Sequence, residues 1–599
     1  MISSGLFILP GLVYLKIGPS AFLAYFLAGI FVIPSLLSKA ELATAMPKAG
    51  GDYFFINRSM GAGFGTLAGI SAWFSLSFKS AFALLGIGAF AGLIFPEMSI
   101  WQFKLIAVFF CIFFGITNII STKHSGKLQN YLVLFLIGLL VLYIFRGLPE
   151  VKLDNFTPFF PGNYKLLFSA AGLIFISYGG LTKVASVAEE VKNPARNIPL
   201  GMILSFVVVT SIYVLVVFIT VGVIGDNLIN PDGSPNLTPI SISAGSFMGK
   251  FGLVALSIAA LLAFISTGNA GIMAASRSPM AMSRDKLIPS IFQTVHKKYK
   301  TPYISIIFTT LFMILVIVFL DLEMLVKTAS TMKLLLFSFV NISVIIMRES
   351  GIQNYRPKFR SPLYPWIQIA AILIYIFLII EMGMIPLIIS GVFVATSLIW
   401  YWFYGRIRAN RESALLYIIR RIGAKEITSF TLENELRTII QERDEIQKDR
   451  FDHLIEICPV LDIKEKLNKN ELFEIVAAEL DKKMPNSNKY FYEKLIAREE
   501  ESTTVLTENL AIPHIIIDGE KLFNIILIRC KKGIFFSEES SKIQTVFVIV
   551  GTRDERPFHL RSLAAIAQII QNANFEKRWL TAKNLNALRD VIILGERKR

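Results

Sequence analysis

Cysteine is nearly missing from this chain of 599 residues. Its three cysteines, Cys111, Cys458 and Cys530, stand far apart in no CxxC or Cys/His spacing. That excludes a disulfide framework and a zinc site, and it fits a reducing compartment for any soluble part. Charge is also scarce, at 17% of residues. The surplus of one sign, 60 Lys and Arg against 44 Asp and Glu, is dispersed among short segments with no basic arm, so nucleic acid is not an expected partner. Beyond Tyr404 long apolar runs are absent, and the composition there is that of an ordinary globular domain.

Apolar residues take the place of charge, at 54% of the chain with positive mean hydropathy. This is too apolar for a purely soluble protein of this size. From Met1 to Tyr404 they fall in runs of roughly 17 to 25 residues, the length a helix needs to cross about 30 Å of hydrocarbon. Hydropathy predicts about twelve spans, at roughly 2–17, 20–37, 63–92, 103–120, 129–146, 164–187, 200–225, 250–275, 303–320, 324–347, 365–384 and 386–404. Segments after even-numbered spans hold most of the basic residues, among them Lys39, Lys48, Arg58, Lys192, Arg277 and Arg348. Those after odd-numbered spans carry few, such as Lys16, Arg146, Lys152, Lys165 and Lys250. The positive-inside rule then predicts a multi-pass protein of the cell membrane with both termini in the cytoplasm.

Two predicted spans are interrupted by small polar residues and glycine, the first at Ser3-Ser4-Gly5 and the sixth at Ser177-Tyr178-Gly179-Gly180. Broken helices near the midplane expose backbone N–H and C=O groups, tolerated in a bilayer only where they line a cavity or bind a ligand. Close helix packing is the alternative use of such residues. The two breaks lie five spans apart, as an inverted five-plus-five repeat requires, and this favours the ligand reading. Lys79 in the third span and Lys183 in the sixth are further candidates, because an ammonium in hydrocarbon usually faces a cavity, an ion site or a partner. One of them can titrate as a proton-coupling group; a snorkelling or paired structural lysine is the other reading.

Five segments together resemble the amino acid/polyamine/organocation permease family. They are Glu41 to Tyr53 (ELATAMPKAGGDY), Glu189 to Pro199 (EEVKNPARNIP), Ser276-Arg277 with Met282 to Asp285 (MSRD), His296 with Thr301-Pro302, and Tyr355 to Pro362 (YRPKFRSP). The resemblance implies a LeuT-like fold and alternating access. It places a substrate carboxylate on backbone amides of the first-helix break, and its ammonium on carbonyls of the first and sixth helices. The matching positions are Ser3, Ser4 and Gly5, and Tyr178, Gly179 and Gly180, with Leu181 where the family has an aromatic gate. Ser266 and Thr267 match positions that ligate sodium in coupled relatives, so H+ or Na+ is the expected coupling ion for symport, with no other cofactor. The family also has a stretch of chain before the first break, so Met1 is expected to be internal to a longer product and the first span truncated.

Residues 405–452 read as amphipathic helices joining two domains, with Leu415, Leu416, Ile418, Ile419 and Ile422 at helical spacing. From 453 to 599, helical patterns alternate with β-rich runs at 524–530 and 545–550, an α/β or α+β domain with a small sheet. His514, after Ile512-Pro513, and His559, in Arg556-Pro-Phe-His559, resemble the mannitol/fructose-type enzyme IIA domain of the sugar phosphotransferase system. That resemblance implies His514 as phosphoryl acceptor and His559 as its neighbour, with phosphocarrier proteins as partners. Arg498, Glu499, Thr503 and Thr504 match the same pattern, whereas the family's following glycines read Val505, Thr507 and Asn509.

The expected whole is therefore a polytopic helical permease over 1–404, the linker, and a regulatory domain over 453–599, acting on amino acids or related organic solutes. Two rivals stand beside it. A phosphotransferase permease that phosphorylates its cargo would need a IIB partner, and neither Cys458 nor Cys530 lies in a glycine-rich active-site loop. A solute receptor on a transporter fold is the other.

Overall fold

The computed structural model describes residues 2, 4–48, 50–93, 95, 98–120, 126–160, 164–180, 188, 191–408, 413–423, 431–482, 488–538, 540 and 542–599. Residues 1–432 and 433–599 form two compact units.

The first unit is helical: α1 (Ser4–Phe7), α2 (Leu9–Ile17), α3 (Ala21–Ala45), α4 (Asp52–Met60), α5 (Ala62–Ala91), α6 (Ile100–Ile120), α7 (Gly126–Gly147), α8 (Tyr164–Tyr178), α9 (Pro194–Ile224) and α10 (Pro239–Arg284). After them come α11 (Tyr303–Phe319), α12 (Leu322–Glu349), α13 (Trp366–Glu381), α14 (Met384–Trp400), α15 (Arg406–Arg408) and α16 (Ala414–Gly423). Among the described residues, eight helical stretches are long and apolar enough to cross a membrane, and shorter apolar helices at 165–178, 303–319 and 366–381 accompany them. Their outward faces are apolar: Leu105, Phe109 and Ile116 on α6, and Ile385, Ile388 and Val392 on α14, are exposed. Such faces suit lipid rather than water. The chain is a multi-pass membrane protein.

Three details differ from the hydropathy reading. The first-span interruption lies at Ile8, between α1 and α2, while Ser4 and Gly5 are helical. Pro10 explains the shift, because it has no N–H for the carbonyl four residues back and its ring crowds that turn. A separate helix, α4, precedes the third span. Gly51 (φ +54) and Gly61 (φ +96) bound it, and these left-handed values favour glycine. Helix α10 extends well beyond 250–275, because it continues through a kink at Gly249 (φ +62).

The second unit begins with α17 (Thr431–Arg443, entering from the last residues of the first) and α18 (Arg450–Ile457). A seven-stranded sheet follows, built from β1 (Val460–Ile463), β2 (Leu467–Asn468), β3 (Val505–Thr507), β4 (Leu510–Ala511), β5 (His514–Ile517), β6 (Phe523–Phe535) and β7 (Ile543–Thr552). The order is β1-β6-β7-β4-β3, with β2 also on β6 and β5 also on β7. Helices α19 (Lys469–Asp481) and α20 (Asn488–Glu501) cover one face, and α21 (Arg556–Ile570), α22 (Phe575–Thr581) and α23 (Leu585–Ile593) cover the other with α18. Alternate residues of β6 serve opposite cores: Ile525 and Leu527 pack with Trp579 and Ile592, Ile526 and Ile528 with Phe473 and Val476. A strand buried on both faces reads as an unbroken apolar run, which is why the β-rich runs were visible without alternation.

Candidate functional sites

Helix α8 stops at Tyr178, leaving its last carbonyls without helical partners. The Ile176 carbonyl accepts the Gly179 N–H at 3.1 Å and the Lys79 ammonium at 3.0 Å. Lys79, buried on α5, thus puts a positive charge where the helix dipole is negative. Opposite stands α1, so close that a Cβ on Gly5 would lie 2.2 Å from Ser177 Oγ. The Gly5 carbonyl accepts from Tyr25 Oη at 2.7 Å, and Tyr178 Oη donates to the Tyr25 carbonyl at 2.9 Å. The hydroxyls of Ser4 and Ser177 are buried with no hydrogen-bond partner among the described residues. Burying such a group unpaired is costly.

Of the sequence candidates, Ser4, Gly5, Tyr178, Gly179 and Lys79 therefore fall around one helix end, and Gly180 follows directly. Ser3, Leu181 and Lys183 lie outside the described residues. Ser266 and Thr267 are half-buried on α10, and no hydrogen bond among the described residues ties either to this site.

The family-like segments interlock elsewhere in the unit. Fully buried Glu41 accepts from Arg348 Nε at 2.8 Å and Nη2 at 2.5 Å, Tyr355 Oη at 3.0 Å and the Ser361 N–H at 2.7 Å. Asp285, just past α10, accepts from Tyr53 Oη at 2.6 Å, Asn57 Nδ2 at 3.1 Å and Arg58 Nη1 at 3.0 Å. A buried carboxylate is tolerable only with such a set of donors.

In the α/β unit, His514 is the first residue of β5 and His559 lies in the first turn of α21. Ile515 and Ile517 point into the α19/α20 core, so strand alternation turns His514 to the α21 face. The two imidazoles meet edge to face, centroids 5.7 Å apart. His514 Nδ1 lies 3.0 Å from the Ile512 carbonyl, which can only accept, so Nδ1 carries the proton. Nε2 is then the lone-pair nitrogen, and Arg498 Nη2 donates to it at 3.1 Å. Glu499 braces the preceding loop by accepting from Thr503 Oγ1 at 3.2 Å and from the Thr504 N–H at 3.0 Å. Burial, with His514 as neighbour, pushes His559 down to about 4, so it is neutral at pH 7. Val505, Thr507 and Asn509 all avoid positive φ; Val505 and Thr507 belong to β3, and the Asn509 carbonyl accepts the Gln544 and Thr545 N–H groups at 3.0 Å each. The loop before His514 forms without the missing glycines.

A family described as amino acid permease matches residues 1–407. The chain belongs to this family. A second family, the phosphoenolpyruvate-dependent sugar phosphotransferase system EIIA 2 domain, matches residues 460–594 of the permease. The branched-chain amino acid permease BcaP of Bacillus subtilis is 29% identical over 68% of this chain and 90% of its own length. The serine/threonine exchanger SteT of the same organism is 26% identical over 62% and 85%. A solved structure, the nitrogen regulatory protein IIA-Ntr of Neisseria meningitidis, matches at 24% identity over 23% of this chain and 99% of that one, with a TM-score of 0.22. Such permease relatives are transporters and not enzymes.

The permease also uses residues that sequence reasoning missed. Tyr25 ties α1 to α8 through backbone carbonyls, with Tyr213 stacked edge-on at 5.9 Å. A lone tyrosine in an apolar run carries no signal of such a role. Ser177 was visible only as part of the sixth-span interruption.

Proposed function

We propose that this permease is a secondary active transporter of amino acids, working by alternating access in the cell membrane with both termini cytoplasmic. Its twelve spans over 1–404 form a LeuT-like five-plus-five inverted repeat, joined by the 405–452 linker to a regulatory domain over 453–599. The observation that carries the reading is the α1/α8 contact, where the Ser4 and Ser177 hydroxyls, without a hydrogen-bond partner among the described residues, lie at the Lys79-capped end of α8. Ser3, Ser4, Gly5, Tyr178, Gly179, Gly180 and Leu181 hold the solute. H+ or Na+ drives it, with Lys79, Lys183, Ser266 and Thr267 as coupling candidates. The branched-chain amino acid permease and the serine/threonine exchanger among its relatives support apolar and hydroxylated amino acids as first choices.

The test is counterflow in proteoliposomes without phosphodonor, using labelled leucine, serine and lysine. Exchange of unmodified amino acid supports the proposal. A strict requirement for phosphodonor supports a phosphotransferase permease instead, and binding without flux supports a receptor.

His514 is the regulatory input. Its Nε2 lone pair attacks the phosphorus of a phosphohistidine donor protonated on its other ring nitrogen. The new N–P bond forms as the donor's N–P bond breaks and the bonding pair stays on the donor nitrogen. The donor leaves as neutral imidazole while His514, still protonated on Nδ1, becomes the phosphoimidazolium. Arg498 meets the phosphoryl oxygens and neutral His559 offers a hydrogen bond. Incubation with the general phosphocarrier proteins and phosphoenolpyruvate labels His514 if this holds; absence of label leaves the domain a ligand sensor.

A further inference from the structure

Asp52, the first residue of α4, is shared by two lysines. The Lys39 ammonium on α3 contacts its Oδ1, and Lys333 Nζ on α12 lies 3.3 Å from its Oδ2. All three are buried, at 1% exposure for Lys39, 9% for Asp52 and 8% for Lys333. Both ammonium groups lie 4.7 Å from the centre of the Phe337 ring, whose face supplies partial negative charge but no ion. With every group ionised the trio holds two cations against one anion.

No second anion reaches it among the described residues. Of the carboxylates on the surrounding helices, Glu41 is bound by Arg348, Glu323 by Lys16 and Lys327, and Glu349 by the Tyr364 hydroxyl. Glu381 ends α13 at its opposite extremity from the α12–α13 connection. The other cations described on the surrounding helices have their own acceptors, Arg58 in Asp285 and Lys79 in the Ile176 carbonyl. A buried net charge is expensive, and a lysine relieves it by giving up a proton, R–NH3+ to R–NH2 plus H+, with the remaining ammonium and Asp52 left as a neutral pair.

We infer that Lys39, Asp52 and Lys333 form a proton-binding site that couples transport to a pH gradient, at a place separate from Lys79, whose ammonium sits on the Ile176 carbonyl. The inference rests on the transport reading above. Its position suits coupling. Lys333 Cε lies 3.5 Å from where a Cβ on Gly179 would stand, against the end of α8. Asp52 heads the helix whose Tyr53, Asn57 and Arg58 hold Asp285 at the end of α10. One proton on the trio therefore bears on both the candidate solute site and the network that holds α4, and linkage makes the effect reciprocal.

The test uses the full-length chain in proteoliposomes, with the amino acid that exchanges fastest among leucine, serine and lysine. Counterflow at equal pH is compared with accumulation under an inside-alkaline gradient. In the double variant Lys39→Arg/Lys333→Arg both charges remain, yet neither group can deprotonate. Lys333→Met leaves a neutral Lys39–Asp52 pair. Both variants are expected to keep counterflow while gradient-driven accumulation falls at least about tenfold. Wild-type-like accumulation in either variant overturns the proposal. So does wild-type exchange without pH-driven accumulation, which leaves the transport reading standing. Loss of counterflow in both variants assigns the trio to the fold and overturns the proposal as well. Absence of wild-type exchange for all three amino acids removes both readings.

Discussion

Lys79 in the helical unit and Arg498 in the α/β unit do comparable work in different solvents. Each carries a cation to an acceptor at the end of a secondary-structure element, the Ile176 carbonyl in one and His514 Nε2 in the other. Lys79 is buried in a bundle whose outer surface faces lipid, whereas Arg498 and His514 are half-exposed. In the first setting water does not readily compensate a missing partner, so the hydroxyls of Ser4 and Ser177, unpaired among the described residues, become the informative feature. In the second, water can serve any exposed group. There the informative features are the tautomer imposed on His514 and the neutral state imposed on His559.

The largest effect should come from the α/β unit. His514→Ala removes the nucleophilic nitrogen, so phosphoryl labelling is expected to vanish while counterflow without phosphodonor continues at the wild-type rate. Scintillation counting of the gel-purified chain and parallel uptake assays check this. Residual label would move the acceptor elsewhere, and lost counterflow would end the separation between an input unit and a transport unit.

The corresponding change in the helical unit is Gly5→Val. Its Cβ would stand 2.2 Å from Ser177 Oγ and 3.0 Å from Ser177 Cα. Backbone lies behind the hydroxyl, so a rotamer change cannot clear the space. Overpacking of this kind costs about 1–3 kcal/mol, roughly a 5- to 150-fold loss of counterflow if it falls on the solute-bound state. Labelling of His514 should be unaffected. Unchanged counterflow would remove the α1/α8 contact from the solute site.

These two residues also mark how far the sequence was readable. Apolar runs, the interruption at Tyr178-Gly179-Gly180 and the paired histidines are local patterns, and local patterns survive in a linear reading. The break near Gly5 was misplaced because the deciding residue, Pro10, acts through a missing N–H several positions away. The short α4 was invisible because nine residues bounded by glycines look like a loop. Lys333 meets Asp52 across 281 positions and Arg348 meets Glu41 across 307. No periodicity encodes such partners, and each lysine or glutamate looks, in sequence, like an interfacial charge.

A subtler difference between the units concerns titration. His559 is held at about 4 by burial and by His514, against about 6.5 in the unfolded chain. The unfolded state therefore binds the proton first. His559's contribution to stability is complete above about pH 6.5 and is lost as pH falls toward 4, up to about 3 kcal/mol in all. His559→Gln should flatten that segment of the curve. Denaturant midpoints read from Trp579, stacked on Phe575 at 5.8 Å, in a chain whose other tryptophans are phenylalanine, make the measurement. An equally steep decline in the variant would assign the pH sensitivity to another group.

The smallest expected effect concerns the loop before His514. If glycine at 505 shaped the loop through a left-handed backbone, restoring it would speed phosphoryl acceptance. Val505 has no positive φ, pairs with Ala511 in β3–β4, and packs against the α19/α20 core. Val505→Gly should therefore leave the labelling rate within about twofold while costing about 0.5–1 kcal/mol of stability through added chain freedom. A rate gain of tenfold or more would show that loop conformation limits transfer. Unchanged kinetics with a lowered denaturant midpoint would instead place the limit at Arg498 and the Ile512 carbonyl, the two groups that hold the His514 ring on either side.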